Sequence, residues 1–258
     1  MERTIDINSD VGERAEALRD GSEEQLISMI SSANVACGGH AGDSSSMTKV
    51  IEIGLKYGVS VGAHPGYPDK ADFGRTEMAI SDSELERSVY DQVASLGALA
   101  EKQGIGLHHV KPHGALYNAA TKNTEIAAAI GKGVGKYSKE ILLVGLAGSA
   151  MLRVWKEMEF RVAAEGFGDR VYEPDGTLRS RKFTDALITD PQKASDQVAR
   201  MVMESNVVTS DGSVFALTVQ TICVHSDTPN AIEIVKRIRK RLEENGVALR
   251  SMTKPATR

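Results

Sequence analysis

Two stretches decide the architecture: Ala33–Asp43, ANVACGGHAGD, and Val59–Pro65, VSVGAHP. In each, a short β-rich apolar run breaks off at glycine and then presents a histidine, His40 or His64. A strand that ends this way carries a titratable side chain at its carboxyl end, and the glycines let backbone or ligand come close. Outward from these two, the same ending recurs. Thr4–Ile7 runs into Asn8, Asp10 and Glu13, and Leu107–Val110 delivers Lys111 and His113 within HVKPHGALYN. Ile141–Leu146 is a further apolar run, Arg161–Ala164 ends in Glu165-Gly166, and Thr221–Val224 ends in His225.

Helical patterns fill the intervals. Ser22–Ser31 is one. The next opens at Ser44–Ser46, places Met47, Val50, Ile51 and Leu55 at helical spacing, and is stopped by Gly58. Ser81-Asp82-Ser83-Glu84 is a capping box for a helix to about Lys102. Others cover Thr124–Lys136 and Ser149–Met158, and Asp190-Pro191 opens one that runs to about Glu204. Thr228-Pro229 starts the last, with Ala231, Ile234, Val235, Ile238 and Leu242 on its buried stripe. Seven strands alternating with helices imply a parallel sheet with right-handed crossovers. That number in 258 residues favours a seven- or eight-stranded (β/α) barrel over an open doubly wound sheet. The expected layout is one barrel domain over 1–250 and a flexible C-terminal tail over 251–258. In such a barrel all strand carboxyl ends share one face, so Asn8, Asp10, His40, His64, Lys111, His113, Glu165 and His225 converge on one pocket.

Composition narrows the function classes. A net charge of −4 offers no electrostatic case for nucleic acid or an anionic membrane. Two cysteines, Cys37 and Cys223, make no disulfide framework and fit a reducing compartment. The N-terminal residues MERTIDINSD lack a basic start and an apolar core, and no apolar run approaches a bilayer span. The expectation is a soluble, cytoplasmic protein. The basic run Lys236–Arg241, KRIRKR, is interleaved with core positions and reads as a solvated face. Gly131–Ser138, GKGVGKYS, imitates a phosphate loop, but its glycines are one residue too close and it lies inside a helical pattern.

Asp10, His40 and His64 form a set suited either to a borderline divalent metal with open positions or to metal-free acid–base work. Lys111, held extended by Pro112, points a cation into the pocket. Glu165 and Asp169 are alternative bases for activating water. Arg75, Arg170, Arg179 and Arg181 flank glycines in long loops, where they could clamp a carboxylate or phosphate. Cys37, inside its strand, is a packing residue.

The motifs IDINSDVGE, SSANVACGGHAGD, GVSVGAHPGYPD, FGR, HVKPHGALYN, GDRVYEPDGTLRSR and ICVHSDTPNA, in this order across the whole chain, resemble the LamB/YcsF family. Ser9, Gly39, Thr76 and Ser226 depart from it, standing where a cysteine, an aromatic, a second arginine and a glycine are usual. The resemblance implies a seven-stranded barrel like that of the metal-dependent sugar deacetylases. It implies the A subunit of an enzyme that opens 5-oxo-L-proline to L-glutamate with ATP as co-substrate, alongside subunits B and C. Phosphorylation of the lactam oxygen would make the ring carbon electrophilic, water would attack, and phosphate would leave. Carried over residue by residue, Asp10, His40, His64, Lys111, His113 and Glu165 fall among the catalytic groups. Asn8, Glu13, Arg75, Asp169, Arg170 and His225 fall among those that bind substrate. Lys111 would stabilise an oxyanion or phosphate, Asp10, His40 and His64 would serve acid–base chemistry or a divalent metal, and Glu165 or Asp169 would be the water base. The alternatives are a stand-alone metal-dependent hydrolase and a non-catalytic lactam-binding subunit.

Overall fold

The structure is a computed structural model and describes residues 2–252. Its strands are β1 (Arg3–Val11), β2 (Ser32–Ala36), β3 (Ser60–His64), β4 (His109–Val110), β5 (Leu142–Leu146), β6 (Val162–Phe167), β7 (Asn206–Val208), β8 (Val214–Ala216), β9 (Thr221–Cys223) and β10 (Val247–Leu249). Pairing runs β1-β2-β3-β4-β5-β6-β9, all parallel, and β9 pairs back with β1 through Asp6, Ile7 and Asn8. Seven strands thus close a barrel, as expected. Two features were not legible as strands. β10 adds to the foot of β1 at Arg3–Ile5, and β7 with β8 forms an antiparallel hairpin outside the barrel.

Nine helices lie among the described residues: α1 (Ala15–Asp20), α2 (Ser22–Ile27), α3 (Ser44–Tyr57), α4 (Asp82–Lys102), α5 (Gly114–Lys122), α6 (Thr124–Tyr137), α7 (Ala150–Glu157), α8 (Pro191–Glu204) and α9 (Ala231–Glu244). Ser81 and Glu84 form the capping box of α4, and Asp190 caps α8 with Pro191 in its first turn. The cap of α3 is Asp43, one residue ahead of the serines chosen from sequence; its carboxylate accepts from the amides of Ser45 and Ser46. The last helix begins at Ala231 rather than at Thr228. α1 and α5 had no sequence expectation. The glycines of the imitation phosphate loop lie within α6, where they let it press on its neighbours: a Cβ at Gly133 would stand 2.5 Å from the Glu86 carbonyl of α4. No helix among the described residues is long and apolar enough to cross a membrane.

The barrel lumen inverts the usual inside–outside rule. Ile5, Ile7 and Val11 of β1 join the apolar core, while Asp6, Asn8 and Asp10 alternate with them; Asp6 bonds to the neighbouring strands, and Asn8 and Asp10 bond across the lumen. Asp10 is in register with Asn34 and Asn34 with Gly62, and the room a side chain would need at Gly62 is filled by the His109 ring. The opposite wall is apolar. Leu142 and Val144 of β5, Ala163 of β6 and Met252 form a second, separate cluster. Of the tail expected over 251–258, Met252 is buried in that cluster, and residues 253–258 lie outside the described residues.

Candidate active site

At the carboxyl ends of the strands lies a cavity of about 800 Å³. Asp10, Glu13, His64, Arg75, Lys111, His113, Arg170 and His225 line it. Four residues expected there, Asn8, His40, Glu165 and Asp169, stand behind or beneath that lining and act through it.

Beneath it, Asn8 donates to Glu165 at 2.9 Å and to Thr221 at 2.6 Å, while its own carbonyl oxygen accepts from Asn34 at 2.7 Å. Glu165 is fully buried, and its oxygens are taken by Asn8, by Lys111 Nζ at 2.9 Å and by the Tyr117 hydroxyl at 2.7 Å. Lys111 Nζ is likewise committed, to Asp10 at 2.9 Å, Glu165 at 2.9 Å and Cys223 Sγ at 3.1 Å. Burial would push the Lys111 ammonium down, but Asp10, Cys223 and Glu165 hold it well above its ordinary value. The lysine is therefore a charged strut with its protons already placed. It is not a free cation for a developing oxyanion, and Glu165 has no oxygen turned to the cavity.

Three histidines and a glutamate gather at one side. His64 Nδ1 donates to the Lys111 carbonyl at 2.8 Å, and His113 Nε2 donates to the Phe73 carbonyl at 2.9 Å. Both rings therefore turn their other nitrogen inward. His64 Nε2 and His113 Nδ1 stand 3.0 Å apart, and Glu13 Oε1 lies 3.2 Å from the latter and 3.8 Å from the former. His40 stacks on His113 with ring centroids 3.5 Å apart and donates from Nε2 to Glu13 at 2.9 Å. Burial drives His40 down to about 4 and also lowers His113, so both rings are neutral near pH 7. At His64 burial acts downward too, yet the Asp10 charge overcomes it and raises the ring. Asp10 stays ionised: burial raises it, but His64 and Lys111 bring it well below the carboxylate range. The metal trio read from sequence is thus regrouped. The donor atoms that meet are those of Glu13, His40, His64 and His113, whereas Asp10 gathers with Cys223 and His225 and touches His64 at 3.3 Å.

Asp169 and His225 make a second unit. Asp169 is fully buried and accepts from His225 Nδ1 at 2.9 Å, from the His225 amide at 3.0 Å and from the Thr228 hydroxyl at 2.6 Å. Burial raises this carboxyl, but His225 and these hydrogen bonds bring it down to about 2. Buried behind the cavity lining and bonded to its partners, Asp169 orients His225 and has no place on the cavity wall. His225 Nε2 is left facing the pocket, 3.9 Å from Asp10. The ring stacks on Phe167 with centroids 5.5 Å apart.

Phe167, Tyr117 and Asp227 were missed in sequence. Tyr117 lay in a helix that went unread, and Asp227 reveals itself only by bridging Arg75 and Arg181 across loops. At Gly39 the room an aromatic would take is filled by Gln92, which bonds both backbone groups of Gly66.

Over residues 5–257 the chain matches the model of the LamB/YcsF family. It is 44% identical over 248 residues to the A subunit of 5-oxoprolinase from Chloroflexus aggregans, covering 96% of this chain and 98% of that one. Identity to the protein of the same name from Pyrococcus furiosus is also 44%, covering 96% and 97%. The lactam utilization protein of Thermus thermophilus superposes with a TM-score of 0.88 at 37% identity, covering 96% of this chain and 100% of that one. A family 4 carbohydrate esterase from Streptomyces lividans, at 12% identity and a TM-score of 0.54 over 98% and 95%, shares the fold alone.

Proposed function

The chain belongs to the LamB/YcsF family, and on that premise we propose that it is the A subunit of a 5-oxoprolinase, opening 5-oxo-L-proline to L-glutamate with ATP and with partner subunits B and C. The observation that carries this reading into chemistry is the His225–Asp169 pair at the cavity wall. Because His225 Nδ1–H is given to Asp169, Nε2 is the ring nitrogen left on the pocket side, placed to take a proton from water.

A five-membered lactam is a resonance-stabilised amide, and its opening gains from activation. Transfer of the terminal phosphoryl group of ATP to the lactam oxygen makes the ring carbon electrophilic. Water, losing its proton to His225, adds there. The C–N bond then breaks as the amine takes a proton, and the acyl phosphate left behind reacts with a second water to give carboxylate and phosphate. Lys111, neutralised by Asp10 and Glu165, holds the strand ends in register beneath this reaction.

The inward nitrogens of His64 and His113 and Glu13 Oε1 fit a divalent metal, because both rings already give their other N–H to a backbone carbonyl, as metal-binding imidazoles do. Glu13, His64 and His113 would hold the ion with His40 at their flank. Such an ion would supply Lewis-acid polarisation of a carbonyl or of water.

Glutamate formation from 5-oxo-L-proline by the chain mixed with its partner subunits and ATP tests the reading. H225Q is expected to cost at least about a hundredfold in rate with an unchanged melting temperature. A fully active H225Q mixture would defeat the assignment, and glutamate formation without ATP would favour a stand-alone hydrolase.

A further inference from the structure

The arginines around the cavity looked alike in sequence, and the structure separates them. Arg75 and Arg181 share Asp227, and Arg179 is paired with Glu173 at 2.9 Å and Asp185 at 2.7 Å. Arg170 is different. Its side chain lines the cavity in a residue only 6% exposed, and among the described residues no carboxylate lies in ion-pair contact with it. Its Nη2 donates to the Arg179 carbonyl at 2.7 Å, and its Nε has no hydrogen-bond partner. A guanidinium cannot shed its charge, and a buried cation with no carboxylate in contact is costly. The arrangement is that of a site waiting for an anion.

We propose that Arg170 receives the ring carboxylate of the substrate and so makes the pocket select an α-carboxylated lactam over the bare ring. This rests on the lactam reading above. The guanidinium is one positive charge with no carboxylate in contact and the Asp169 charge acting on it from nearby, which suits a singly charged carboxylate; a phosphoryl group carries nearly two. The planar N–H fork also matches a planar carboxylate. The rest of the wall agrees with such a guest. Leu146, Phe167 and Leu178 offer an apolar surface to ring methylenes, and His225 stands against Phe167 where the amide end would meet its base.

Calorimetric titration of the full chain with 5-oxo-L-proline and with 2-pyrrolidinone, the same ring without the carboxylate, tests the assignment. The wild type is expected to bind the carboxylated lactam more tightly. R170M should weaken that binding by roughly a hundredfold and bind 2-pyrrolidinone within a few-fold of the wild type. R170K, which keeps the charge without the fork, should fall between and serves as the readout if R170M melts early. Equal affinity of the wild type for the two lactams, or equal losses for both in R170M, would overturn the Arg170 assignment alone. A wild type that binds neither would overturn the lactam reading as well. Inorganic phosphate that binds in an Arg170-dependent manner and leaves 5-oxo-L-proline affinity untouched would give the site to a phosphoryl group instead.

Discussion

Asp6 lies at the foot of the lumen, 1% exposed, where the hydroxyls of Ser31 and Ser32 donate to one carboxylate oxygen and that of Thr221 to the other. Burial raises it from 3.8 to about 6 against the pull of those hydrogen bonds. Between pH 4 and pH 6 the folded chain therefore holds a proton that the unfolded chain has lost. The stabilisation from that proton is complete below about pH 4 and gone above about pH 6, and amounts to about 3 kcal/mol. Urea unfolding should show the wild type losing about that much relative to D6N as pH rises from 4 to 7; a difference that stays flat with pH would mean that Asp6 folds ionised. At the same scale, D169N leaves a side chain of the same shape but weakens the grip on His225 Nδ1. It should lower the turnover of the reconstituted mixture at least about tenfold while substrate affinity, read by calorimetry, stays put. His40 and His64 could be picked out of the sequence because each comes one or two residues after a glycine at the end of an apolar run. The division of labour among Asp10, Glu165 and Asp169 could not be, since all three are carboxylates near strand ends. Only pairing across β1, β6 and β9 decides which oxygen meets the cavity and which is spent on a neighbour.

Among the elements, α6 packs on α4 at near-backbone distance at Gly133, while Gly131 of the same helix faces Trp155 of α7 and Met158. At Gly133 a Cβ would meet the Glu86 carbonyl at 2.5 Å, and a backbone atom inside a helix cannot step aside. At Gly131 it would meet the end of the Met158 side chain at 2.8 Å, which can, and the edge of the Trp155 ring at 3.1 Å, which need give only a few tenths of an ångström. Alanine gains about 1 kcal/mol over glycine in a helix interior, so the two substitutions should part. G133A is expected to lose about 1–3 kcal/mol net through overpacking, and G131A to fall within about 1 kcal/mol of the wild type, both read by urea unfolding. Similar losses at both sites would mean that Met158 is as immovable as the backbone. The elements that sequence located well were those with a cap or a clean apolar stripe, such as α4 and α8. β1 was cut short at Ile7, although it runs to Val11, because polar side chains at alternate positions looked like the end of a strand. In this lumen Asn8 and Asp10 bond across the barrel, so polarity marks the inside. The short α5 carries too few residues for any period to register, whereas the strand read over Leu107–Val110 is present as β4, confined to His109–Val110.

For the whole molecule, the cavity sets the final expectation. It holds about 800 Å³, far more than a five-membered lactam fills, and its outer rim is built from the long segments that carry Arg75, Glu77 and Thr177–Lys182. Those rim segments are tied to one another mainly through charges, with Asp227 bridging Arg75 and Arg181. A phosphorylated lactam in so open a mouth would be lost to bulk water before ring opening, and closure over it is what keeps such an intermediate on its path. A partner subunit seated on the rim would supply that closure together with the nucleotide, for which the sequence of this chain has no phosphate loop. The isolated chain should therefore bind 5-oxo-L-proline yet form no glutamate with ATP, whereas addition of subunits B and C should produce glutamate, ADP and phosphate in equal amounts. The charge-reversed D227R should loosen the rim and lower the yield of glutamate per ATP consumed in the mixture, while binding of the lactam to the isolated chain is retained. Sustained ATP-dependent glutamate formation by the isolated chain would place the nucleotide within this cavity and remove the need for a partner to close it.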